Sequence, residues 1–219
     1  DDAVLSTILA FNVTSGKNSS LDSSLFLAAA NSANFSSNNV AVLGQLFSAF
    51  AAFVAATPNS TESAANNVAV LAALIDAALP LSSNDTNTNS TTSGALLPTM
   101  LTALRSVAHG AEYFDTETTT EYLNAVSSVT SRSSSSVSTS DLSALSDTLD
   151  TVCRDSTSVS NETNASRITF GTDSFDFDCT ETTSDEATVV EHDAATVVVQ
   201  TGTSDGGVVS VTSWSVKNP

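Results

Sequence analysis

Between Leu21 and Cys153, apolar residues return at steps of three and four, the spacing of helices that each bury one stripe. Leu25, Phe26 and Ala29 open a short helix. Val40, Leu43, Leu46, Phe47, Phe50 and Val54 form a wide stripe, and Val68, Leu71, Leu74, Ile75 and Leu79 form another that Pro80 ends. Three more stripes follow: Leu97, Met100, Leu101, Leu104 and Val107, stopped near Gly110; Tyr122, Val126 and Val129; and Leu142, Leu145, Leu149 and Val152, opened by the Ser/Thr cluster before Asp141. Polar loops are expected at 57–63, 82–94 and 131–140. After Cys153 the period changes to two. Ile168 and Phe170 alternate with polar neighbours, as do Phe175, Phe177 and Cys179, and further strands are expected at 187–191, 195–201 and 207–217. Thr203-Ser204-Asp205-Gly206-Gly207 is a hairpin signal between the last two.

Asn38-Asn39-Val40-Ala41-Val42-Leu43 recurs 28 residues later as Asn66-Asn67-Val68-Ala69-Val70-Leu71. Asn is a good N-cap, so both copies read as helix starts, from either a duplicated helical unit or convergent capping. At the other end, Leu5, Thr7, Leu9, Phe11 and Val13 alternate with Val4, Ser6, Ile8, Ala10 and Asn12. Val4, Ile8 and Phe11 are also at helical spacing, but the strongly apolar odd face favours a strand.

Composition narrows the function. The chain of 219 residues carries 24 acidic and 6 basic side chains, for a net charge of −18, and 68 of its residues are Ser or Thr. Two Lys and four Arg cannot supply the phosphate contacts that drive nucleic-acid binding, and the charge repels anionic membranes. The longest apolar run, Val40 to Ala56, contains Gly44, Gln45 and Ser48 and is shorter than the ~20 residues a span needs, so it reads as a buried helix. No membrane insertion is expected. Two His and two Cys leave little for a metal or cofactor, and no cofactor is expected.

The compartment reads as extracellular. The chain starts Asp1-Asp2 rather than Met, as a mature exported product would. Asn-x-Ser/Thr triplets stand at Asn12, Asn18, Asn34, Asn59, Asn84, Asn89, Asn161 and Asn164, most of them where loops are expected, so covalent glycans are expected there. Cys153 and Cys179 are the only possible internal pair. In an oxidising compartment they would close a loop of about 25 residues, worth ~3 kcal/mol in the chain-entropy treatment; two unpaired buried thiols are the alternative.

The residues with chemical potential have plainer explanations. Asp173, Asp176, Asp178 and Glu181 could in principle hold calcium. Asp176 and Asp178, however, alternate with Phe175 and Phe177 and read as the solvent face of a strand. His192 lies between Glu191 and Asp193, which on a strand point to the opposite face, so it reads as solvated. His109 falls at a helix end before Gly110 and reads as a capping residue. Trp214 reads as a sheet-core or edge residue. No Gly-x-Ser-x-Gly elbow and no phosphate-binding loop is present, so no catalytic residue is assigned.

These elements predict an α+β protein. Its parts are an N-terminal strand segment (1–16), a helical domain (17–153) and a C-terminal antiparallel immunoglobulin-like β-sandwich (154–219). Such a sandwich needs about seven strands, and the C-terminal region offers roughly five. The surplus N-terminal strand, with Leu5, Leu9, Phe11 and Val13 as its apolar set, could complete the sheet in cis or in a neighbouring subunit. The second closure is head-to-tail and builds a filament.

With residues 3–14 as donor and 157–217 as acceptor, the arrangement resembles donor-strand-exchange filament subunits such as chaperone–usher pilins. Those pilins have no counterpart to the helical domain. A second resemblance covers more of the chain. Asn66 to Leu74, Thr99 to Leu104 and Ile168 to Phe177 are similar to the helical-then-β order of GAIN-type and receptor-for-egg-jelly-type extracellular regions, and Ser213 to Pro219 resembles algal surface proteins of that kind. The self-cleavage tripeptide of GAIN regions is missing, since Asp193 follows His192, so this resemblance implies no autoproteolysis. The function expected is a structural, non-enzymatic subunit of a glycosylated extracellular filament, with other copies of itself as partners. The alternative is the ectodomain or stalk of a surface receptor or adhesin.

Overall fold

A computed structural model describes residues 23–32, 40–57, 60–78, 91–133, 139–157, 167–172, 175–182, 197–200 and 209–216. Six helices come first: α1 (Ser23–Ser32), α2 (Val40–Ala56), α3 (Thr61–Ala78), α4 (Thr91–Ala108), α5 (Thr116–Ser133) and α6 (Thr139–Thr157), with a 3-10 turn at Ala111–Tyr113. Four strands follow: β1 (Arg167–Gly171), β2 (Phe175–Thr182), β3 (Val197–Gln200) and β4 (Val209–Val216).

The helical stripes meet as their spacing requires. Leu43, Leu46, Phe47 and Phe50 of α2 are buried with Leu71, Leu74 and Ile75 of α3, and α2 packs along α4. Phe26 of α1 sits against Phe50 and Phe53 with ring centroids 5.4 and 5.3 Å apart. Tyr122 of α5 is fully buried and donates its hydroxyl to the Leu104 carbonyl of α4 at 3.0 Å. Burial alone pushes this phenol far above its usual pKa, so it remains a donor.

Many of the Ser and Thr hydroxyls in these helices are satisfied by bonding back to a carbonyl of the preceding turn, so the helices, formed by their apolar stripes, can carry them. Thr119, Thr120, Thr130, Thr148 and Thr151 donate to the carbonyls of Asp115, Thr116, Val126, Ala144 and Asp147, four residues back, at 2.7–3.0 Å. Thr119, Thr130 and Thr148 are buried, and this bond lets them lie in the core without an unmet hydroxyl. In α4, Pro98 lies on the exposed side of the helix. There its missing N–H and bulky ring disturb the packing least.

Helix starts differ from the sequence expectation. Asn66 and Asn67 lie inside α3, and Asn67 is buried. The cap of α3 is Ser60: its hydroxyl accepts from the Ser63 N–H at 3.1 Å, and the Ser63 hydroxyl accepts from the Ser60 N–H at 2.8 Å. The repeated hexapeptide therefore marks a shared apolar stripe, and its second copy caps nothing. Helices also extend into the segments expected as loops at 57–63, 82–94 and 131–140: α3 begins at Thr61, α4 at Thr91, α5 runs to Ser133 and α6 begins at Thr139.

The C-terminal region corrects the expected immunoglobulin-like sandwich. All four described strands hydrogen-bond into one antiparallel sheet, in the order β1-β2-β4-β3. The apolar face of that sheet carries Phe175, Phe177, Cys179, Thr212 and Trp214, all buried, and α6 packs against it. Alternation along a strand shows that one face must be covered, without showing by what. Here a helix takes the place a second sheet would fill. The N-terminal strand (1–16) and the strand expected at 187–191 lie outside the described residues. One buried cluster runs from Phe26 to Trp214, so bundle and sheet share a core. Among the described residues no helix is long and apolar enough to cross a membrane.

Candidate functional site

The sheet and its anchorage to the helices form the candidate site. Strand β2 is central. Its Cys179 is bonded to Cys153 of α6, with Cα atoms 5.6 Å apart, and both residues are fully buried. The paired-cysteine expectation thus holds, and the unpaired-thiol alternative is set aside. On β4, the Thr212 hydroxyl donates to Asp150 at 3.2 Å, and the Trp214 indole N–H reaches the Ser146 hydroxyl at 3.4 Å. Both partners project from α6, one turn apart. Trp214 also lies 6.4 Å from the Phe175 ring.

The β1–β2 hairpin has its own anchor. The Thr172 N–H donates to the Phe175 carbonyl at 2.8 Å, and the Phe175 N–H donates to the Thr172 hydroxyl at 3.0 Å. That hydroxyl lies 2.8 Å from the Ser127 hydroxyl of α5. A Cβ at Gly171 would come 2.9 Å from the Asp176 carboxylate oxygen across the pair, so a larger residue there would make that side chain shift. Register places Ile168 beside Cys179 and Phe170 beside Phe177. Both are half-buried, since β1 is the outermost described strand on its side. The outermost on the other side is β3.

Other candidates resolve into structural roles. Asp176 and Asp178 do lie on the face opposite Phe175 and Phe177, but Asp178 is only 9% exposed, so the centre of that face is not open to water. Among the described residues no three His, Cys, Asp or Glu groups come together as a metal site. His109 is exposed in the turn just past α4, and its N–H donates to the Arg105 carbonyl at 3.3 Å. His192 lies outside the described residues. An open cleft of about 350 Å³ between α3 and α5 is rimmed by Asp76, Glu121, Asn124 and Ser128 over alanines, and His109 is not among its lining residues.

The expected assembly residues Leu5, Leu9, Phe11 and Val13 lie outside the described residues. So do all eight glycosylation candidates, Asn12, Asn18, Asn34, Asn59, Asn84, Asn89, Asn161 and Asn164. Sequence reasoning did not identify Thr172, Ser127, Asp150 and Ser146 as anchors. Nothing in their spacing marks them, since each works through a partner more than forty residues away in the chain. No protein-family model matches this chain, and no curated protein and no solved structure matches it.

Proposed function

We propose that this chain is a structural, non-enzymatic subunit of a glycosylated extracellular filament or surface appendage. Copies join head to tail when the N-terminal segment of one adds as a strand to the sheet of the next. The observation that carries this reading is a sheet tied to the bundle, with a described outer strand on each side and no described strand beyond either. Such edges present rows of backbone donors and acceptors that template another strand. The acceptor is the border of a single sheet rather than a gap in a sandwich. Residues 3–14, alternating and uncharged, have the composition of the incoming strand. The disulfide supports an oxidising compartment, where such bonds persist.

A second reading is favoured by the continuous core. Helices followed by strands in one disulfide-tied body also suit the ectodomain or stalk of a surface receptor. Solution size separates the two. Electron microscopy and light scattering of native material should show fibres, and removing residues 1–14 should leave a folded, unassembled monomer. Discrete particles of 22.4 kDa plus sugars from the intact chain would favour the receptor reading. Continued polymerisation of the truncated chain would refute the role of the N-terminal strand.

A further inference from the structure

We infer that the cleft between α3 and α5 binds a small organic cation, a primary ammonium on a short aliphatic chain. The site is separate from the sheet and independent of how copies assemble. Four polar side chains stand around its mouth: Asp76 on α3, and Glu121, Asn124 and Ser128 on α5. Thr120, Thr130 and Ser131 of α5 bond their hydroxyls back to their own helix. The four rim side chains make no such bond, and none of them has a hydrogen-bond or ion-pair partner among the described residues.

The chemistry of the rim selects a cation with several donors. Its two carboxylates only accept, and the amide and hydroxyl oxygens accept as well, whereas an ammonium offers three N–H donors and no acceptor. Asp76 stands in the last turn of α3, which holds no basic residue. A carboxylate there meets the negative end of the helix dipole, and a bound cation relieves that repulsion. The net charge of −18 draws cations toward the surface as a whole and opposes anions.

The floor requires that the cation carry an apolar part. Ala69, Ala72 and the buried Ala125 line the cleft beneath the rim, and their short side chains leave a space of about 350 Å³ between the two helices. That lies in the ~300–1,000 Å³ range of small-ligand pockets. A water molecule takes about 30 Å³, so a bare metal ion would fill a small part of the space and leave the alanine methyls wet. Among the described residues no third carboxylate, Cys or His joins Asp76 and Glu121 to complete a metal site. An aliphatic chain lying on the methyls removes them from water while its ammonium meets the two carboxylates.

The test uses the full chain with its alanine methyls isotopically labelled, at physiological ionic strength, and n-pentylamine as the probe. The expected result is saturable NMR shifts confined to the methyls of Ala69, Ala72 and Ala125. Pentanol, which has the chain without the charge, and ammonium chloride, which has the charge without the chain, should each bind about tenfold more weakly or worse. Asp76→Asn and Glu121→Gln should each weaken the amine by a similar factor of about ten, as expected for loss of a charge-assisted bond. Ala72→Leu fills the cleft and keeps both carboxylates, and it should abolish the shifts at an unchanged melting temperature. If Ala72→Leu does not fold, Ala69→Leu, at an exposed position of the same cleft, replaces it. Undiminished binding to the leucine variant, or shifts that spread over the acidic surface without saturating, would overturn the site. Calcium chloride producing the same methyl shifts as the amine would overturn the choice of an organic cation.

Discussion

The helical bundle and the sheet satisfy the same demand, burial of apolar residues without unmet polar groups, by different means. In the bundle, each helix carries its own stripe and bonds many of its own hydroxyls, so most of what it needs lies within four residues along the chain. No covalent link joins the described bundle helices to one another. The sheet has four short strands and one buried apolar face, and a sheet of this size needs something packed on that face. It is held by a disulfide to α6, two hydrogen bonds from β4 to α6, and one hydroxyl contact from the hairpin to α5. The bundle is specified locally, whereas the sheet depends on remote anchors. That difference fixes the centre of the sheet to α6 and leaves the proposed assembly to its border.

The sharpest way to break this contrast is to open a cavity in the bundle. Phe50→Ala removes a fully buried ring that packs edge-on to Phe26 and should cost about 3–5 kcal/mol, unfolding bundle and sheet together because they share one core. Urea denaturation followed by circular dichroism and tryptophan fluorescence measures it, since Trp214 reports the sheet. Separate transitions would show that the two regions are independent.

Cutting the anchor should be more selective. Cys153→Ser with Cys179→Ser should cost about 2–5 kcal/mol. Amide exchange should accelerate first in β1, β2 and β4, while α2 and α3 keep their protection. Uniform loss across both regions would contradict the idea of a locally specified bundle.

Smaller effects sharpen the picture within the helices. Tyr122→Phe removes the bond to the Leu104 carbonyl while keeping the ring, and should cost about 0.5–1.5 kcal/mol. Gly44→Ala should stabilise by about 0.4–1 kcal/mol, because the new methyl meets Leu96 at 3.6 Å, an ordinary contact, and glycine in mid-helix is unfavourable. Thermal melts rank these two against the parent.

The pH response should begin at a helix cap. Asp115 accepts from the Thr118 N–H at 2.8 Å, and that bond holds its pKa below the ordinary carboxylate value. A lowered folded-state pKa means that the stabilisation is fully present above the unfolded value, near pH 4, and is lost as pH falls through the folded one. Asp115→Asn should flatten that part of the pH–stability curve while still capping α5. An unchanged acid limb would assign the loss to other carboxylates.

Much of this molecule was legible in its sequence, and the reasons are physical. Five of the apolar stripes, at Val40, Val68, Leu97, Tyr122 and Leu142, lie on described helices, because helical periodicity is local and a stripe implies burial. The strands at Ile168–Phe170 and Phe175–Cys179 were visible through alternation for the same reason. The pair Cys153–Cys179 followed from there being only two cysteines. Other features depended on distant neighbours. Asn66-Asn67 matched an N-cap pattern, but Ser60 and Ser63 had already closed the helix start six residues earlier. The sandwich was expected because alternation shows that a strand has an apolar face while leaving open what covers it. The tertiary structure decided that α6 covers it, through Cys153, Asp150 and Ser146 on one helix meeting Cys179, Thr212 and Trp214 on two strands. Periodicity fixes what a segment must bury; only the packing of remote segments determines what it is buried against.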